Sequence, residues 1–238
     1  MSSLRSSPVL PVIPVLDIAG GQVVHARRGE RARYQPICSP LVDGSVPATV
    51  ARALLDRVPG ASALYVADLD ALCGKPPQVE VIAQLGLLDH EIWLDAGFAD
   101  VESAQDVLRA LSGRGVRVRP VFGSESLGSA LALQAIAAHP GAILSLDLRL
   151  GQPLDPAGAW GAPALWPGTL IAMTLDRVGA EGGPDLETFA RLRARAPDRR
   201  WIGAGGITSA DDLARAATAG AAGWLVASAL HAGLVDLR

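Results

Sequence analysis

The sequence predicts an α/β protein, a single closed (β/α)8 TIM barrel built from two similar halves, and three observations carry that expectation. Short apolar runs alternate with amphipathic segments rich in Ala, Leu and Arg along the whole length. Eight such units fit into 238 residues, half of them apolar, a size at which a parallel sheet closes on itself as one domain. The ends of the first four apolar runs also reappear, in order, at the ends of the last four.

The candidate strands are Val9–Leu16, Ala63–Ala67, Glu91–Leu94, Val116–Val121, Ala142–Leu146, Thr169–Met173, Trp201–Ala204 and Gly223–Val226. Their hydrophobicity is near-continuous rather than alternating, as in strands covered on both faces. Helical patterns lie between them at Val46–Val58, Val101–Leu111, Leu127–His139, Leu186–Ala196 and Ala210–Thr218, with Asp100 and Ser209 placed as caps. Gly and Pro mark the joints. A doubly wound open sheet would show the same alternation, but no G-x-G-x-x-G follows the first strand. The fifth unit departs from the rest: GQPLDPAGAWGAPALWPG is too rich in Pro and Gly for a good helix and reads as a long loop of the kind that serves as a lid.

The internal repeat is most explicit around two carboxylates. In VLDIAGGQ three residues separate Asp17 from Gly-Gln, and the same spacing follows Asp147 in SLDLRLGQ. ADLD (67–70) then corresponds to MTLD (173–176), LDAGF (94–98) to IGAGG (202–206), and VFGS (121–124) to LVAS (225–228). The halves span about 9–140 and 141–238.

Bulk composition excludes several function classes. Net charge is −3 with no long basic cluster, so no nucleic-acid track is expected. Lys75 is the only lysine, so any Schiff-base chemistry would fall to it. Cys38 and Cys73 are the only cysteines; without a secretory signal they suggest a reducing cytoplasm. No run approaches the roughly 20 apolar residues of a membrane span, and no metal or cofactor is expected.

Catalytic groups of such barrels sit at the C-terminal ends of the strands. There Asp17 and Asp147 would face each other as an acid–base pair able to move protons between neighbouring atoms. An aspartate after a strand is also a common turn or cap residue, but two at equivalent places in a repeat make that reading weaker. The glycine-bearing run Ala204–Ser209, with Ala227 and Ser228 nearby, suits a phosphate held by backbone N–H groups; tight turns would need the same glycines. The first-half counterpart is a poorer cradle, because Asp95 stands where the second half has Gly203.

Together these residues resemble the histidine-biosynthesis isomerase family, whose ProFAR isomerase converts an aminoaldose to an aminoketose by an Amadori rearrangement. The resemblance runs from about Val12 to Gly233, through PVLDIAGGQVVHARRGE, YVADLDALCGKPPQVEVI, DRVGAEGGPDLETF and WIGAGGITSADDL. It implies Asp17 as general base and Asp147 as general acid. It also implies phosphate contacts at Gly205, Gly206, Ala227, Ser228 and Gly183, a second set at Gly123 and Ser124, and substrate contacts at His25, Asp68, Thr174 and Trp160. Three departures stand out: Asp95-Ala96-Gly97 replaces a triple glycine, His25 an expected arginine, and Met173-Thr174 a Thr-Asp pair. The absent lysine near His25 argues against the sister cyclase. The expectation is an aldose–ketose isomerase acting on a phosphorylated small molecule, as a monomer or small homo-oligomer. Two alternatives stay open: a diverged paralogue in C1-carrier cofactor (methanopterin or methanofuran) biosynthesis, and a non-catalytic barrel used for binding or assembly.

Overall fold

A computed structural model describes residues 10–180 and 182–235. Eight parallel strands form a closed barrel: β1 (Val12–Ala19), β3 (Ala63–Asp68), β4 (Glu91–Asp95), β5 (Val118–Gly123), β6 (Ile143–Arg149), β8 (Thr169–Thr174), β9 (Arg200–Ala204) and β10 (Gly223–Val226). The ring closes where Val12 of β1 pairs with Trp224 of β10. Two further strands, β2 (Gln22–Val24) and β7 (Gln152–Pro153), return antiparallel along β1 and β6. The helices are α1 (Pro47–Arg57), α2 (Leu69–Leu72), α3 (Val79–Gly86), α4 (Val101–Ser112), α5 (Ala130–Ala138), α6 (Leu186–Arg193), α7 (Ala210–Thr218) and α8 (Ser228–His231).

Strand periodicity explains the two cores. Alternate residues of a strand point to opposite faces. Ile13, Tyr65, Trp93, Val121, Ile143, Ile171, Ile202 and Leu225, one from each barrel strand, fill the interior. The residues between them, such as Leu16, Leu64, Leu94 and Leu144, pack outward against the helices. Both faces are buried, which accounts for the continuous apolar runs. Below the mouth, the interior is plugged by Trp93, whose ring lies 5.5 Å from the guanidinium carbons of Arg119 and Arg200.

The predicted strands and helices are present, with boundaries moved. The first strand starts and ends later than Val9–Leu16, and Val9 lies outside the described residues. Asp17 and Asp147 therefore sit inside β1 and β6 rather than after them. Each strand runs two residues past its aspartate and folds back through a two-residue turn. Gly20 and Gly21 have φ of 55° and 76°, Leu150 and Gly151 of 49° and 72°, the double positive φ of a type I′ hairpin. Thus the repeated Gly-Gln is a hairpin signature: the glycine completes the turn, and the glutamine opens the returning strand. Helices α2, α3 and α8 were not anticipated.

The fifth unit has no α-helix among the described residues. Two 3₁₀ turns, Ala159–Gly161 and Pro163–Leu165, take its place. Ala159 and Trp166 are fully buried there, with the Trp166 ring 5.6 Å from that of Trp201.

Candidate active site

At the C-terminal end of the barrel lies a cavity of about 130 Å3, lined by Asp17, Asp95, Glu125, Asp147, Arg31 and Arg149, with Tyr34 and Tyr65. Asp17, Asp95 and Asp147 share the inward strand parity, since Asp17 pairs with Ala67, Ala67 with Asp95, and Asp147 with Met173. Strands β1 and β6 are diametrically opposed, with three barrel strands between them on either side. The two repeated aspartates thus enter one cavity from opposite walls.

Each carboxylate has a distinct setting. Asp147 is buried; its Oδ1 accepts from the Ser145 hydroxyl at 2.6 Å and its Oδ2 from the Glu125 N–H at 3.3 Å. Burial pushes its pKa up to about 8, with the Glu125 and Asp95 charges adding to the shift and the Ser145 bond opposing it. Asp17 is raised to about 7, first by burial, with Arg31 opposing and Asp95 adding. Asp95 reaches about 6 by burial, restrained by the Gly97 N–H at 3.2 Å and the Tyr65 hydroxyl at 3.0 Å. Arg31 makes an ion pair with Glu125, while Arg149 makes none among the described residues. Two loops meet at the wall of the cavity, where the Arg28 N–H donates to the Val178 carbonyl at 2.9 Å.

The opposite end of the cavity is neutral. Gly205, Gly206, Ile207 and Ala227 wall it. The Gly206 N–H donates to the Arg177 carbonyl and the Thr208 N–H to the Asp212 carboxylate, both at 3.0 Å. A Cβ on Gly206 would lie 2.2 Å from the Gly183 carbonyl oxygen, so these two backbones require glycine to touch. Behind this end, a side cavity of about 180 Å3 is lined by Asp17, His25, Ala227, Ser228 and His231. His25 Nε2 stands 3.5 Å from the Ser228 hydroxyl. Burial, then the neighbouring Arg27, lowers the pKa of His25; burial, then His25, lowers that of His231 to about 4.

Several expected contacts lie elsewhere. Asp68 follows the inward Ala67 and so points outward. It is wholly buried, accepting from Ala71 N, Gln78 N and Gln78 Nε2. Thr174 follows the inward Met173 and donates to Asp185 at 3.0 Å. Ser124 accepts from Asp147 N at 2.9 Å and donates to the Leu154 carbonyl at 2.8 Å. Gly123 leaves room for carboxylates, since a Cβ there would sit 3.1 Å from Asp147 Oδ2. Trp160 packs against the outer core, and its carbonyl accepts from Arg195. Residues 159–165 of the fifth loop therefore stand in for a barrel helix, while Leu154 near its start lines the cavity. Asp95 appeared in the sequence only as an obstacle to phosphate; Tyr65, Glu125, Arg31 and Arg149 gave no signal there.

A family profile described as "Histidine biosynthesis protein" matches residues 11–155 and 164–236. The chain belongs to this family. Phosphoribosyl-imidazole-4-carboxamide isomerases (ProFAR isomerases) of Xanthomonas campestris and Thermus thermophilus are 30% and 29% identical, each match covering 95% of this chain and 96% and 97% of theirs. An uncharacterized protein of Methanocaldococcus jannaschii is 26% identical over 96% of both chains. Among solved structures, orotidine 5′-monophosphate decarboxylase from Metallosphaera sedula superposes with a TM-score of 0.53 at 15% identity, over 94% of this chain and 90% of that one. That likeness is one of fold, a TIM barrel. The relatives of Xanthomonas and Thermus are named as isomerases, and no helix of the described residues is long and apolar enough to cross a membrane.

Proposed function

We propose that the protein is an acid–base isomerase of phosphorylated aminosugar-like molecules, using Asp147 as general acid and Asp17 as general base. The observation that carries this reading is the entry of both carboxylates into one cavity from opposite walls of the barrel. Asp147, raised further than Asp17, is the one suited to hold a proton at neutral pH. It would protonate the ring oxygen of an aldosylamine as the ring C–O bond opens to an imine. Asp17 would then remove the proton from the adjacent carbon, giving the enol that rearranges to the aminoketose.

The phosphate belongs, in this reading, at the neutral end walled by Gly205, Gly206 and Ala227, with His25 and Ser228 behind it. Asp95 and Glu125 oppose a second phosphate at the other end. That observation favours a second reading as well, a paralogue in C1-carrier cofactor biosynthesis with a different, singly phosphorylated substrate. The matching hairpins of β1 and β6 support a duplicated half-barrel forming one domain. We place it in the cytoplasm as a monomer or small homo-oligomer.

The test is complementation of a histidine-requiring strain lacking its own isomerase. Growth without histidine would assign ProFAR itself as substrate, and failure with soluble protein present would favour the paralogue. Asp17→Asn and Asp147→Asn should each lower turnover by about 10²–10⁴-fold, the usual loss when a general acid or base is removed. Near wild-type turnover in either variant would end the acid–base assignment.

A further inference from the structure

Tyr65 and Asp95 form a contact that the acid–base scheme does not use. Tyr65 is buried in the barrel interior, one inward layer below the mouth, and its hydroxyl donates to Asp95 Oδ2 at 3.0 Å. The other oxygen, Oδ1, accepts from the Gly97 N–H at 3.2 Å. Both bonds favour the ionised carboxylate. Gly123 is the spacer between this group and the general acid, since a Cβ there would lie 3.1 Å from Asp147 Oδ2 and 4.0 Å from Asp95 Oδ2. The groups facing Asp147 are Asp95 from β4, Ser124 and Glu125 from the end of β5, Ser145 from its own strand and Tyr65 from β3; Arg31 reaches only Glu125 with an ion pair.

We propose that Tyr65 and Asp95 are a positioning pair: Tyr65 holds the Asp95 carboxylate in place as an anion, and that anion keeps the working proton on Asp147 in the resting site. Two carboxylates sharing a dry space do not both ionise. Each accepts from fixed donors, Asp95 from Tyr65 and Gly97 and Asp147 from Ser145 and Glu125. The Arg31 cation, however, stands close enough to Asp95 to favour its charge, so Asp95 carries the charge and its neighbour keeps the proton. The pair thereby supports Asp147 as the group that starts as acid, an inference that rests on the acid–base reading of the site.

The experiment is carbon-13 NMR titration of the aspartate side chains in the full chain, with signals assigned through Asp17→Asn, Asp95→Asn and Asp147→Asn. In Asp95→Asn the Asp147 midpoint should fall by about one pH unit, a tenfold loss of proton affinity. In Tyr65→Phe the Asp95 midpoint should rise and that of Asp147 fall, so that the two approach each other. Tyr65→Phe removes one oxygen from a filled interior and gives a second measurement if Asp95→Asn does not fold. An Asp147 midpoint unmoved in a folded variant would overturn the proposal. Because this reads protons in the resting protein, its failure is separate from failure of the isomerase reading, which turnover of Asp17→Asn decides.

Discussion

Asp68 and Asp17 show how one residue of phase separates a structural carboxylate from a reactive one. Both lie at a strand end in an apolar run, yet Asp68 faces the helices and accepts three hydrogen bonds from the segment before α3. Asp68→Ala would leave the N–H groups of Ala71 and Gln78 without that partner in a buried place. We expect it to cost about 1–3 kcal/mol of stability, read as a lower urea midpoint, while turnover per folded molecule is retained. A loss of turnover as large as that in Asp17→Asn, with the fold intact, would return Asp68 to the substrate. The sequence could not have made this distinction. Strands buried on both faces are apolar at every position, so no alternation reveals which residues look inward; Asp68 and Thr174 were displaced from the site by that missing phase, whereas Ser124 contacts Asp147.

At the scale of elements, the eight strands and five principal helices were legible because apolar runs and caps such as Asp100 and Ser209 act locally. The Asp100 side chain accepts from Ser103 N at 2.8 Å and the Ser209 hydroxyl from Asp212 N at 3.2 Å. Helix α3 was missed because its Val- and Ile-rich sequence carries no side-chain cap at Gln78. The hairpins were missed because one of them breaks the turn rule: Leu150 holds φ of 49° while 80% exposed. A branched side chain in that conformation is strained by about 1–2 kcal/mol, much of which asparagine avoids. Leu150→Asn should therefore stabilise the protein by about 1 kcal/mol, measurable as a raised urea midpoint at unchanged slope. A lowered midpoint would show that the exposed Leu150 side chain makes a contact that outweighs the strain.

At the scale of the whole molecule, the buried carboxylates set the dependence of stability on pH. Asp95, Asp17 and Asp147 titrate near 6, 7 and 8 in the folded chain, against about 4 when unfolded. The folded state therefore binds more protons across that window, and the stability this provides is lost as pH rises through the folded values. His231, held near 4, and the lowered His25 act in the opposite sense below about 6.5, the unfolded value. Between about pH 6.5 and 8 each proton held by these aspartates contributes a slope of up to about 1.4 kcal/mol per pH unit. Tm should fall across this interval by roughly 2–4 °C for each kcal/mol, and Asp147→Asn should flatten the fall. A Tm that rises from pH 6.5 to 8 would contradict the proton inventory of the cavity.

The pairing of Val12 with Trp224 also governs how the protein is made. A ribosome that has delivered β1 through β9 holds a sheet with two open edges, one of them the strand that carries Asp17. Only when Leu225 emerges can Ile13 find its neighbour and the interior close. Until then the nascent chain exposes strand edges able to pair with other chains. The demand on chaperones accordingly falls at the end of translation, and a stalled or prematurely terminated product is the species most prone to aggregate.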